Sequence, residues 1–243
     1  MTAPSTEGRL STTRVSSLLQ KGHRTVGAYY MLWGEARSGF EEAATAVADL
    51  VARVERWQAP ALGTWDVAAL AGHTLRAITA PGRYTEKPEP VGASLPDAAA
   101  YYLAYLAWRA SDDPVAADAE VAARGEQTAA EVGAAGMAAA YREAIAAARR
   151  TLDHHGPDRL VPTPFGTMRL AAYLPTRTLE LVVHGLDLAH AGGLVWAPPP
   201  ASLEESLVVV ARVAARAANG GDVLLAMTGR EWVVCDRVLP VIR

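Results

Sequence analysis

The sequence predicts a mainly α-helical protein, a bundle of helices followed by a small C-terminal α+β tail. Apolar residues recur at helical spacing through most of the chain, as where Val67, Leu70, Ala71, Thr74, Ala77 and Ile78 line one face. Proline and glycine clusters separate these periodic segments. Near the C-terminus two short apolar runs, 223–227 and 232–235, read instead as strands around Gly229-Arg230.

Residues 1–20 are polar and without period, and with the stretch to 37 they read as a mobile arm and lead-in. Ser38-x-x-Glu41 has the form of a capping box and predicts a helix over 40–57, broken by Pro60 and Gly63. Thr64 is placed to cap a second helix over 65–80 that stops before Pro81. A proline-rich loop, 81–96, follows. Ser94-x-x-Asp97 then signals a third helix, on which Tyr101, Tyr105 and Trp108 share a face. Asp113-Pro114 opens a long Ala-rich helical region to about His155, weakened or broken at Gly125, Gly133 and Gly136. His155-Gly156-Pro157 is a stop signal. Residues 157–174 read as mostly loop, and Pro175 suits the first turn of a helix that runs to about Ala191 and ends at Gly192-Gly193. Three prolines at 198–200 form a linker to an amphipathic helix over 202–218, and Gly220-Gly221 turns the chain into the tail.

At 243 residues and 51% hydrophobic, the chain can bury a core for one large domain with an appendage. The net charge is −3 and no basic run stands out, which gives no reason to expect a nucleic-acid partner. Cys235 is the only cysteine, so no disulfide can form within the chain, and a reducing cytoplasm is the expected setting. There is no signal-peptide core and no apolar run of the roughly 18 residues a membrane span needs. The oligomeric state is not legible.

The chemically informative segment is the helix after Pro175. Arg177, Glu180, His184 and Asp187 fall on one stripe, and the other positions, Leu179, Leu181, Val182, Val183, Leu186 and Leu188, are apolar. Glu180 and His184, four apart, can converge on one ion. On spacing alone, such a stripe reads sooner as a solvent face with surface ion pairs. His73, at the edge of the apolar stripe of the second helix, adds a second imidazole; alone it would be an ordinary boundary histidine. Together His73, Glu180 and His184 make a ligand set of two histidines and one carboxylate that leaves coordination positions open.

The stretches WDVAALAGHT and PTPFGTMRLAAYLPTRTLELVVHGLDLAHA resemble the mycothiol-dependent maleylpyruvate isomerase family, within the DinB-like superfamily, and VLLAMTGREW resembles the short tail of some members. The resemblance covers roughly residues 38–234. It implies an up-down four-helix bundle over 38–197, with 198–243 as the helix-plus-strands tail. It also implies a divalent metal, usually zinc, held by His73, Glu180 and His184, and mycothiol as thiol cosubstrate. Asp187 would then orient the His184 imidazole, and Arg177 would pair Glu180 or hold a substrate carboxylate. Arg230, in the Thr-Gly-Arg turn, is a further candidate for anion binding.

The implied activity is isomerisation, or thiol transfer, on an electrophilic or unsaturated acid, with small molecules as partners. The alternatives are a metal-dependent hydrolase or natural-product tailoring enzyme on the same bundle, and a non-catalytic metal-binding stress protein. His154 and His155 read as a helix end, His190 points away from His184, and Cys235 reads as packing. No Walker loop, GxSxG elbow or dinucleotide fingerprint is present.

Overall fold

The computed structural model describes residues 21–111, 114–217 and 220–230. In chain order they form α1 (Lys21–Val51), α2 (Val67–Thr85), α3 (Ala98–Ser111), α4 (Pro114–His154), β1 (Leu160–Thr163), β2 (Gly166–Arg169), α5 (Leu170–Gly192), α6 (Pro200–Arg216) and α7 (Gly220–Met227). Helices α1, α4, α2 and α5, in that order around the ring, make the bundle, and α3 and α6 pack on the α5 side. Their facing stripes supply the core: Phe40 and Leu50, Leu70 and Ile78, Met137 and Tyr141, and Leu174, Leu181 and Leu188 are all buried. Each such side chain contributes about 1.5–3 kcal/mol relative to exposure.

Contacts between the helices fix their senses. Tyr141 and Thr151 of α4 meet Ala71 and Gly82 of α2, so these two helices run in parallel. Glu41 and Arg37 of α1 pair with Arg149 and Asp153 of α4, an antiparallel arrangement. His73 faces Glu180 while Tyr84 faces Tyr173, so α2 and α5 are antiparallel. The up-down bundle is therefore realised as up, down, down, up, with the connection that carries α3 as its long crossover.

Several boundaries differ from expectation. Ser38-x-x-Glu41 lies inside α1 and caps nothing, because its side chains are engaged elsewhere. Ser38 Oγ donates to Glu42 at 2.8 Å, and Glu41 accepts from Arg37 at 2.6 Å and Arg149 at 2.9 Å. Helix α1 also ends at Val51, short of 57. The cap of α2 is Asp66, accepting from the Ala69 amide at 2.8 Å, in place of Thr64. Pro81 does not end α2. It sits in the last turn, where it removes one amide donor, and the Thr85 hydroxyl and Glu86 amide bond the final carbonyls. The start signal Ser94-x-x-Asp97 does mark α3, but the cap is Asp97, which accepts from the Ala100 amide at 2.9 Å. Ser94 instead bonds the Thr167 backbone of β2.

The expected loop 157–174 is a two-stranded antiparallel hairpin, Leu160↔Arg169 to Thr163↔Gly166, that passes directly into α5. Pro175 therefore lies inside α5, not at its start. The predicted strand over 223–227 is helix α7, closed by a Schellman motif. Gly229 takes φ 76°, the Gly229 amide donates to Ala226 and the Arg230 amide to Leu225. A short apolar run does not distinguish strand from helix by period. The other expected tail strand, 232–235, and the arm 1–20 lie outside the described residues. Among the described residues, no helix is long and apolar enough to cross a membrane.

Gly133 takes φ 69° and kinks α4, as its position in the Ala-rich run suggested. Gly72 and Gly125 serve a different purpose, a close crossing of α2 and α4. A Cβ on Gly72 would overlap the Gly125 carbonyl oxygen and come within 2.8 Å of the Ala129 amide nitrogen, both of them backbone. We therefore expect Gly72→Ala to lower the urea midpoint, at a cost of about 1–3 kcal/mol. Gly136→Ala, whose Cβ would meet only Val132 Cγ1 at 3.5 Å, should leave the midpoint unchanged or raise it, with a gain in stability of up to about 1 kcal/mol.

Candidate metal centre

The polar stripe of α5 faces inward. Arg177, Glu180 and His184 are largely buried against α2 and α3, whereas apolar Val183 and Leu186 of the same helix are 43% and 44% exposed. The solvent-face reading of the stripe therefore does not hold. Antiparallel packing of α2 on α5 sets His73 opposite it. Glu180 Oε2 lies 3.3 Å from His184 Nε2 and 4.0 Å from His73 Nε2. One donor atom from each of His73, Glu180 and His184 lies within 4.8 Å of the others. The three side chains are 14–25% exposed, so solvent reaches the cluster.

Each group is positioned differently. His184 Nδ1 is 3.1 Å from Asp187 Oδ2, one helical turn on, and this contact orients the ring with Nε2 toward Glu180. His73 Nδ1 is buried without a partner among the described residues. Packing holds that ring. The Trp65 ring lies 4.9 Å away, the His184 ring 5.0 Å away, and the Gly72–Gly125 crossing brings α4 against the His73 Cβ. Glu180 is held from its other side. The Tyr102 hydroxyl of α3 is 3.0 Å from Glu180 Oε1 and 3.0 Å from the Thr176 carbonyl oxygen, and Arg177 Nη2 is 3.9 Å from Oε1.

Arg177 lies over the rings of Tyr173 at 5.0 Å and Tyr101 at 5.7 Å, and its Nε donates to Thr176 Oγ1 at 3.0 Å. These are cation–π contacts in a desolvated setting, which suits a guanidinium better than an ammonium. Beyond Tyr101, the rings of Tyr105, Trp108 and Phe165 form an aromatic wall with Phe165 of the hairpin turn at its centre. The shared face foreseen for Tyr101, Tyr105 and Trp108 is this wall.

The electrostatics separate the two imidazoles. Burial alone would lower the pKa of His184, but its contacts with Asp187 and Glu180 outweigh that and raise it to about 9. Burial and the neighbouring His184 charge lower His73 to about 3. Burial would raise Glu180, but His184 and Arg177 hold its carboxyl well below the ordinary range. Burial keeps Tyr102 a phenol, far above its usual range, so it faces Glu180 as a donor.

Arg230 is not brought to this cluster. It lies in the exposed turn after α7, its Nη1 donates to the Thr228 carbonyl at 2.7 Å, and among the described residues it makes no contact with the cluster. His154 and His155 meet edge to face at the end of α4, His190 is exposed, and Cys235 lies outside the described residues. Tyr102 and Trp65 were not foreseen. The stripe of α3 drew attention to Tyr101, which meets Arg177 of α5, whereas Tyr102, one position on, reaches Glu180.

These features define a class: a helical bundle protein that gathers two imidazoles and a carboxylate from facing helices beside a shielded guanidinium. The chain belongs to the mycothiol maleylpyruvate isomerase N-terminal domain family, whose model matches residues 40–189. That span contains His73, Tyr102, Arg177, Glu180, His184 and Asp187. Comparison with curated proteins and with solved structures gives no match.

In metal-free protein at neutral pH, His184 should carry both ring protons and His73 should be neutral. Because the folded pKa of His184, about 9, lies above its reference of 6.5, its contribution to stability is full below about pH 6.5 and is lost as pH rises through about 9. Imidazole NMR titration should show this high midpoint, and Asp187→Asn should bring it down. An unmoved midpoint in that variant would detach Asp187 from His184.

Proposed function

We propose that the chain is a metal-dependent enzyme that uses mycothiol, or a close cysteinyl-glucosaminyl thiol, as cosubstrate on an electrophilic or unsaturated acid. The observation that carries this reading is the convergence of donor atoms from His73, Glu180 and His184 at a solvent-reached point in a chain of this family. The donor set fits a divalent ion: two nitrogens and one carboxylate oxygen, with Asp187 behind one imidazole. Zinc is the first choice, and iron, nickel or manganese suit the same ligands. When bound, the ion would supply an electrophilic centre that favours the thiolate form of a thiol.

The chain's own residues supply the rest. Asp187 fixes which nitrogen of His184 faces the centre. Arg177 stands beside Glu180, where its guanidinium would meet a substrate carboxylate, and packing against Tyr173 holds it there. A divalent ion and Arg177 together outweigh Glu180 and Asp187 by one positive charge, so the loaded centre favours an anionic ligand. Arg230 has no part in this reading. The sulfur nucleophile comes from the cosubstrate. In isomerisation it adds to a conjugated double bond, which becomes single and rotates; elimination then re-forms the alkene and returns the thiolate. In transfer, it displaces a leaving group and stays on the product. A reduced low-molecular-weight thiol points to the cytoplasm as the working compartment.

Purified protein should hold about one divalent ion per chain. By elemental analysis, His73→Ala, Glu180→Ala and His184→Ala should each lose it, while His155→Ala and His190→Ala should keep it. Full occupancy in the His184 variant would end the assignment. Asp187→Asn should weaken binding by about 10- to 100-fold.

Metal-loaded protein should bind mycothiol in a calorimetric titration and turn over maleylpyruvate or simple electrophiles with it. Cys235→Ser should leave that activity intact, and His184→Ala should abolish it. No thiol binding at millimolar concentration would remove the mycothiol reading and leave a hydrolase or a non-catalytic metal protein.

A further inference from the structure

The two oxygens of Glu180 have different surroundings. Oε2 faces the imidazoles, 3.3 Å from His184 Nε2 and 4.0 Å from His73 Nε2. Oε1 faces α3 and Arg177, with the Tyr102 hydroxyl at 3.0 Å and Arg177 Nη2 beyond hydrogen-bond distance at 3.9 Å. Tyr102 is only 4% exposed, so the direction of its hydroxyl is set by packing. That hydroxyl has one proton and two acceptors in reach, Oε1 and the Thr176 carbonyl oxygen. The Thr176 carbonyl lies inside α5 and already has a helical amide donor four residues on. Among the described residues, Oε1 has no donor within hydrogen-bond distance other than Tyr102. The proton therefore serves the carboxylate.

We infer that Tyr102 is a positioning residue that engages Oε1 and so makes Glu180 a one-oxygen ligand through Oε2, leaving a coordination position open for an incoming ligand. The inference rests on the metal reading above. A carboxylate free at both oxygens can close on an ion with two contacts and occupy two positions. A phenol hydrogen bond to one oxygen opposes this, and losing it also loosens the ligand's orientation. Tyr102 would thus act on the number of ligands as well as on affinity, which a merely structural tyrosine would not do.

Tyr141 provides the control. It is another fully buried tyrosine, and its hydroxyl donates to the Ala71 carbonyl at 2.7 Å, away from Glu180. The full chain is loaded with cobalt(II), whose visible d–d absorption weakens as coordination number rises. Tyr102→Phe should lower the intensity of that band and weaken cobalt binding by about 10-fold or more in a chelator competition. Tyr141→Phe should lower the melting temperature and leave both band and affinity at wild-type values.

If Tyr102→Phe binds cobalt with the wild-type spectrum and affinity, the inference is overturned while the metal reading stands. If wild-type protein takes up no cobalt or zinc, the metal reading itself fails and takes the inference with it. Should Tyr102→Phe not fold, a crystal structure of the zinc-loaded wild type decides. Oε2 alone in the coordination sphere, with Oε1 on Tyr102, supports the assignment, and both oxygens on the ion overturn it.

Discussion

A carboxylate inside a helical bundle is the constraint on which the rest of this structure depends. Removing Glu180 from water costs several kcal/mol unless its oxygens are engaged. Here the compensation comes from three helices. Tyr102 of α3 takes Oε1, and the imidazoles of α5 and α2 face Oε2. Arg177 adds a positive charge one turn before Glu180 on α5, packed against two tyrosine rings. The charge that is expensive to bury is therefore also what ties α2, α3 and α5 to a common point.

That arrangement demands that α3 be held against α5, and the irregular parts of the fold do this. Asp97 at the start of α3 takes both Nη atoms of Arg216 from α6, at 2.8 and 2.6 Å. Ser94 binds the Thr167 backbone of the hairpin. Arg159 fastens Glu89 and the carbonyls of Thr85 and Lys87, so the loop before α3 is closed onto the strands. The hairpin turn then places Phe165 among Tyr101, Tyr105 and Trp108. On the opposite side of the centre, His73 depends on backbone proximity. Gly72 and Gly125 let α4 approach α2, which leaves the His73 ring between Trp65 and His184. One imidazole is thus oriented by a hydrogen bond and the other by packing.

Much of this was legible in the sequence, and the remainder was hidden for physical reasons. Period-3.6 patterns and Pro/Gly punctuation located α2 to α6 to within a few residues, and the expected stop at Gly192-Gly193 takes the form of a Schellman motif. Errors fell where side-chain contacts, a tolerated proline or a short element overrode a local signature. Ser38 and Glu41 spend their side chains on neighbours, Pro81 is tolerated in a last turn, and the hairpin strands are too short to show alternation. The residues His73, Glu180, His184 and Asp187 were legible by type and spacing. That their stripe faces inward was not, because an apolar helix with one polar stripe has the same sequence whether the stripe meets water or a buried centre. Tyr102 left no trace, since a tyrosine beside other tyrosines carries no mark of where its hydroxyl ends.

The topology explains why the third helix matters so much. Two successive bundle helices, α2 and α4, run in parallel, and parallel neighbours cannot be joined by a short turn. The chain must travel the length of the bundle between them. It makes that journey across the face where α5 carries Arg177 and Glu180, and it makes it as a helix whose two faces do different work. Tyr101 stacks on the guanidinium and on Phe165, while Tyr102 reaches the carboxylate. The crossover that the parallel pair requires is therefore also what shields Arg177, engages Glu180 and builds the aromatic wall. The backbones of α2 and α5 are placed by the bundle core, through Gly72, Leu70, Leu181 and Leu188, while the direction of the Glu180 carboxylate is set from the crossover by Tyr102.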